Sequence, residues 1–151
     1  AGVRFAMPAT SSTSSSFSST ADTIAVDTPV NVDASLTLAG GKPALARDML
    51  RMLAVSLAED HHDIPVLVRE ADTAMLLARV HKLHGATRYV GTLPLRKAAH
   101  DLEVWLKTTL AQGNPDQHAL EKQVARLLQE MTQVSAWLAR HGDQLEELIR
   151  N

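Results

Sequence analysis

Cysteine is absent from the 151 residues, which excludes disulfides, thiolate catalysis and zinc fingers. Aromatic residues are nearly as scarce, at 3% against 45% apolar residues in all. The apolar content is therefore Leu, Ala, Val and Met, a set that favours packed helices over a sheet. No apolar run approaches the roughly 20 residues needed to cross a bilayer, and no basic head followed by an apolar core marks a secretory signal. Neither sign of charge dominates. The formal net charge is −2, which leaves no global basic field for nucleic acid. The chain also lacks a glycine-rich nucleotide pocket and the clustered carboxylates that a dedicated Mg²⁺ site prefers. These absences predict a soluble chain that makes no membrane contact of its own, binds no nucleic acid and does not use ATP.

What is present falls into three stretches. Residues 1–31 read as a disordered linker, because from Thr10 to Thr20 every residue but Phe17 is Ser or Thr and such a stretch cannot bury enough apolar area to offset its chain entropy. The chain starts at Ala1 rather than Met, so it reads as a piece of something longer. Residues 32–142 are expected to form one folded domain, and 143–151 a short C-terminal helix or a frayed tail.

Within the folded part the pattern is all-α. A short helix near 33–39 is expected to start at an Asp33 cap and end in Gly40-Gly41. The next helix has Pro43 in its first turn and a stripe of Ala46, Met49/Leu50, Leu53 and Leu57. Pro65 is expected to break or kink it, with His61-His62-Asp63 in a polar turn. Asp72 caps the following helix, which is expected to run to Gly91. Thr92 and Pro94 then open a helix whose inward face is Leu95, Ala98/Ala99, Leu102, Trp105/Leu106 and Leu110. After Gly113-Asn114-Pro115 the last long helix buries Leu120, Val124, Leu127/Leu128, Met131, Val134 and Leu138, and Gly142 stops it. Four long amphipathic helices with short connections predict an up-down-up-down four-helix bundle with a short extra N-terminal helix. Trp105 and Trp137 read as packing anchors, His100, His118 and His141 as solvated, and Glu121/Arg126 and Glu146/Arg150 as surface charge pairs.

The most informative segment is His81-Lys82-Leu83-His84-Gly85-Ala86-Thr87-Arg88-Tyr89-Val90-Gly91. Leu76, Val80, Leu83, Thr87 and Val90 follow the spacing of a buried helix stripe. At about 100° per residue, His81 lies roughly 140° from Leu76, at the stripe's edge. Its neighbours Ala74, Ala78 and Gly85 are small, and His84 and Arg88 flank it with basic groups. An imidazole that is exposed, approachable by another protein and flanked by cations suits a phosphoryl group, since imidazole is a nucleophile toward phosphorus.

This segment resembles the histidine phosphotransfer (HPt) domain of bacterial phosphorelays. The pattern there is H-x-[LIF]-K-G, a further Gly, then a helix of form L-x-x-x-C/A-x-x-L-E. Here it reads His81, Leu83, His84 in place of Lys, Gly85, Gly91, then Leu95, Ala99 and Leu102-Glu103. With Gly40-Gly41-Lys42 and Leu45-Ala46-Arg47-Asp48-Met49-Leu50 upstream, the string resembles the GacS/BarA group of tripartite hybrid sensor kinases.

The resemblance implies that His81 is the phosphoryl carrier, modified at the ring nitrogen farther from the backbone. His84 would stand where Lys usually neutralises the phosphoryl oxygens. Gly85 would clear the partner's approach, with Lys82 and Arg88 as further electrostatic candidates. Ala74, Leu77, Ala78, Gly85 and Tyr89 would form the docking patch. The implied partners are the receiver domain of the parent hybrid kinase and a separate DNA-binding response regulator of the Gac type. The receiver would supply Mg²⁺, and the domain itself would hold no cofactor or metal. It would act as a cytoplasmic monomer, within a parent kinase anchored in the inner membrane. Two other readings are a helical adapter that grips a partner without moving phosphate, and a bundle that binds metal through His81 and His84.

Overall fold

The structure, a computed structural model, describes residues 28–150; most of the linker expected over 1–31 lies outside them. Six α-helices follow one another: α1 (Val32–Leu38), α2 (Pro43–Arg69), α3 (Thr73–Ala86), α4 (Leu93–Ala111), α5 (Gln117–His141) and α6 (Leu145–Arg150). Single 3₁₀ turns, Thr87–Tyr89 and Gly142–Gln144, precede α4 and α6. α2 packs on α3 and α5, and α4 packs on the same two helices, closing a four-helix ring. Short connections make sequential helices antiparallel, the up-down-up-down bundle that the periodicity predicts. The short α1 and α6 both lie against α2 and touch each other.

Each predicted stripe faces the centre, except that Leu110 at the end of the α4 stripe lies outside the core. Ala46, Leu50, Leu53 and Leu57 of α2 meet Leu76, Val80 and Leu83 of α3, Leu95, Ala98, Ala99, Leu102 and Leu106 of α4, and Leu120, Val124, Leu127, Met131, Val134 and Leu138 of α5. Val30 is buried ahead of α1, and Leu145 and Ile149 of α6 are buried too. The folded unit thus reaches past both expected boundaries, and its C-terminal end is a packed helix.

Several local expectations are corrected. The cap of α1 is Asn31, not Asp33: its side chain accepts from the Ala34 N–H at 2.9 Å. Pro65 does not interrupt α2, which runs through it as one 27-residue helix. Pro65 cannot donate to the His61 carbonyl, but Ile64 and Val68 on either side of it are buried and hold the last turn in place. His61-His62-Asp63 is therefore helical. The helix ends instead in a Schellman pair, Asp72 N–H to the Leu67 carbonyl (3.0 Å) and Ala71 N–H to the Val68 carbonyl (3.1 Å), with Ala71 left-handed at φ 54°. α3 stops at Ala86, short of Gly91. Thr92 stands at the N-cap of α4 but makes no capping bond, and its buried hydroxyl has no partner among the described residues.

Gly91 has a use other than ending a helix. Its N–H donates to Ser35 Oγ at 2.9 Å, and its carbonyl accepts from the Asn31 N–H at 2.7 Å. A Cβ there would collide with the Asn31 carbonyl oxygen and stand 2.9 Å from both the Ala34 Cβ and the Ser35 nitrogen. The α3–α4 turn is pressed onto the first turn of α1, and only glycine leaves room. Gly91→Ala should therefore cost about 1–3 kcal/mol through overpacking, read as a lowered midpoint in urea unfolding. An unchanged midpoint would contradict the close approach.

Candidate functional site

The α3 stripe leaves His81 on the rim, with its side chain 69% exposed. From the neighbouring α4, Leu102 and Leu106 point into the core. Glu103 lies between them on the side facing α3, and its side chain is only 7% exposed. The Glu103 carboxylate receives both histidines of the α3 segment. His81 Nδ1 is 2.5 Å from Oε2, and His84 Nδ1 is 2.8 Å from Oε1. Lys107, one turn further along α4, places Nζ 3.1 Å from Oε2.

Burial would raise the Glu103 carboxyl, but the hydrogen bonds from His81, His84 and Lys107 outweigh it and bring it down to about 2. An ionised carboxylate only accepts, so each imidazole must carry a proton on Nδ1 and donate it. This fixes the tautomer of His81. In the neutral ring the lone pair then resides on Nε2, the nitrogen farther from the backbone.

The opposite flank of α3 is tied to α2. Arg79 reaches Asp60 at 2.6 Å and Asp63 at 2.8 Å. Burial raises the Asp60 carboxyl, opposed by Arg79 and by the charge of Lys82. Asp63 is lowered by hydrogen bonds from His62 and Arg79. α3 is thus held by carboxylates on both sides, and the carrier candidate stands between them.

The sequence candidates do not all converge. Ala74 and Ala78 are exposed beside His81, Leu77 is half-buried against the core, and Gly85 has open space where a Cβ would stand. Lys82 is exposed, with its charge felt by Asp60 on the α2 side. Arg88 and Tyr89 are exposed on the 3₁₀ turn beyond α3. His84 does not project outward with His81. Its ring is turned toward Glu103, mostly covered, and stacks on His100 with centroids 5.3 Å apart, so His100 is not simply solvated. Of the surface pairs, Arg126 pairs with Asp101 (2.8 Å) rather than Glu121, and Glu146 meets Arg47 of α2.

Glu103 and Lys107 are the two groups that reasoning along α3 did not assign. No acidic residue of α3 itself serves the histidines. The signal was the Leu102-Glu103 pair, an acid next to a core leucine four residues before a lysine. Two imidazoles and one carboxylate suggest a metal site on paper, but here both Nδ1 atoms are spent on Glu103. Among the described residues no group of three His, Asp or Glu side chains is arranged to hold a metal ion.

Residues 48–137 match the family model described as Hpt domain. The chain belongs to the Hpt domain family. Among curated relatives, the sensor protein GacS of Pseudomonas syringae pv. syringae is 42% identical over 92 residues, 61% of this chain and 10% of that protein. The GacS sensor histidine kinase of Pseudomonas protegens is 42% identical over 65% of this chain and 11% of its own length. The BarA kinase of Shigella flexneri is 32% identical over 74% of this chain and 12% of its own. The chain thus spans about a tenth of the relatives' length. Its fold superposes on the crystal structure of the HPT domain from a Shewanella hybrid histidine kinase with a TM-score of 0.69 at 33% identity, covering 77% of this chain and 95% of that one. The matched region of this Hpt domain contains His81, His84, Glu103 and Lys107.

Because Glu103 is lowered from an ordinary 4.5 to about 2, the unfolded carboxyl binds its proton more tightly than the folded one. The stabilisation from Glu103 is then complete above about 4.5 and is lost as the pH falls through about 2. Urea midpoints measured across that window should fall more steeply for the native chain than for Glu103→Gln. Parallel profiles would show that the carboxylate is not held as described.

Proposed function

We propose that this domain carries a phosphoryl group on Nε2 of His81, taking it from the phospho-aspartate of a receiver domain and passing it to the aspartate of a separate response regulator. The observation that carries the reading is the state of His81: an exposed ring whose Nδ1 is fixed on a buried carboxylate, which leaves Nε2 as the nucleophile. In the forward step the Nε2 lone pair forms the N–P bond while the donor's O–P bond breaks and its carboxylate leaves. Nδ1 keeps its proton, so the ring becomes cationic. The Glu103 carboxylate stands where that charge develops and stabilises it, and transfer onward restores the neutral ring. Mg²⁺ would come with the receiver, whose phosphorylation site needs clustered carboxylates. No ATP-dependent step belongs to this domain.

Family membership and the GacS and BarA relatives support a place within a hybrid sensor kinase, with its own receiver as donor and a DNA-binding regulator of the Gac type as acceptor. In that arrangement the domain works in the cytoplasm as a monomer. Among the described residues no helix is long and apolar enough to cross a membrane. Ala74, Ala78 and Gly85 form the approach to His81, where small side chains let the partner's loop come close.

The test is phosphotransfer from a phosphorylated receiver with Mg²⁺. The native chain should gain an acid-labile, base-stable label and His81→Gln none. Label on both would move the site, with His84 next to be examined. Label on neither, across several receivers, would favour an adapter that binds without transfer. Gly85→Lys should keep the fold, because the added Cβ meets nothing within 4 Å. It should nevertheless slow transfer on the order of a hundredfold by displacing the partner. Normal transfer by this variant would remove the steric role of Gly85.

A further inference from the structure

Beside the His81 site, the 3₁₀ turn after α3 and the first half of α4 enclose an open groove of about 380 Å³, lined in part by His84, Arg88, Arg96, Lys97, His100 and Asp101. Its charge is unbalanced. Asp101, the acid in this lining, is already engaged by Arg126 at 2.8 Å. Arg88, Arg96 and Lys97 are exposed and have no carboxylate partner among the described residues. On the other flank Arg79 is matched by Asp60 and Asp63, and Lys82 is a single exposed cation whose charge Asp60 feels. Lys107, on α4 itself, is matched by Glu103. A chain of net charge −2 thus gathers three unmatched cations in one concave place. His84 belongs to both sites, since it lines the groove and shares Glu103 with His81.

We infer that this groove is an electrostatic seat for the acidic rim of the receiver that exchanges phosphate with His81, and that it sets the receiver's orientation over the histidine. The inference rests on the phosphotransfer reading. A protein that holds phospho-aspartate with Mg²⁺ must cluster carboxylates at that site, so the surface it brings to His81 is negative. The three unmatched cations on the α4 side outnumber Lys82 on the α2 side, so they draw that surface to one side of α3. Such a field raises encounter rates about tenfold or more at low salt and fades as the Debye length shrinks to roughly 10 Å near 0.1 M. Each cation is exposed, so it contributes to association and orientation rather than to the stability of the fold.

The experiment compares Lys97→Glu with Lys122→Glu, the same charge change on an exposed position of α5, in transfer from a phosphorylated receiver across a salt series. Lys97→Glu should lower kcat/KM about tenfold at low salt, with the gap closing as salt rises, and Lys97→Arg should restore the rate. Lys122→Glu should stay within about twofold of the native chain, because its charge lies away from the groove. Equal effects of the two substitutions, or a gap that persists at high salt, would overturn the seat while leaving phosphotransfer intact. A native chain that no receiver labels would overturn the phosphotransfer reading and the receiver assignment together. If short duplex DNA bound the native chain but not Lys97→Glu, with transfer unchanged, the groove would belong to a nucleic-acid polyanion and not to a receiver.

Discussion

A carboxylate removed from water must be compensated by donors, or it takes up a proton. Glu103 is compensated three times, by the Nδ1–H groups of His81 and His84 and by the ammonium of Lys107. The rest of the site follows from that. The two imidazoles are one helical turn apart, so a single carboxylate can reach both only if α3 and α4 keep one rotation and one spacing. The bond that fixes the His81 tautomer therefore also fixes the register of two helices. On the proposed reading, the same negative charge that holds the ring at rest would already be in place for a cationic ring, with no rearrangement at the moment of transfer.

The remaining architecture protects this register. Leu76, Val80 and Leu83 anchor α3 from beneath, and Leu102 and Leu106 flank Glu103 on α4. Arg79 ties the far side of α3 to Asp60 and Asp63 of α2. The turn between α3 and α4 is clamped by α1 through both backbone groups of Gly91. α1 adds little to the core of the ring, but it holds the connection on which the relative position of His81 and Glu103 depends. Gly85 and Gly91 thus serve different purposes. The first stands in open space, which the proposed reading assigns to a partner, and the second leaves space for the protein's own backbone.

The bundle was readable from the sequence because its signal is periodic: each long helix carries a leucine-rich stripe, and each stripe is buried. The exposure of His81 followed from the same periodicity. Failures occurred where a single residue type suggested a local event that tertiary packing overrode. Pro65 read as a break or a kink, and the break is absent because buried neighbours carry α2 through it. Thr92 looked like a cap, yet its hydroxyl is buried without a partner among the described residues. Ala71 ends α2 in a left-handed conformation that its residue type does not advertise. The partnership of Glu103 with the histidines was hidden for a different reason. It joins residues 22 and 19 positions apart on separate helices, and helical spacing describes one helix at a time. The groove at α4 was hidden likewise, because its cations come from two elements.

His84 shows how the site tolerates the departure from the lysine of the family pattern. A lysine one turn after the carrier would bring a fixed positive charge on α3. Here the position is filled by an imidazole that faces inward, donates to Glu103 and stacks on His100. The ammonium beside the carboxylate comes instead from Lys107 on α4. The outward-facing cations nearest the turn are Arg88, Arg96 and Lys97. The lysine of the family pattern is thus absent from α3, and the cations nearest Glu103 and the groove stand on α4 and the turn before it. A phosphoryl group on Nε2 would then have Lys82 as the neighbouring cation on α3 and more positive charge to one side. On the reading proposed above, a partner that brings both the phosphoryl group and its metal would supply the rest, so the charge balance of the site would be complete only in the complex.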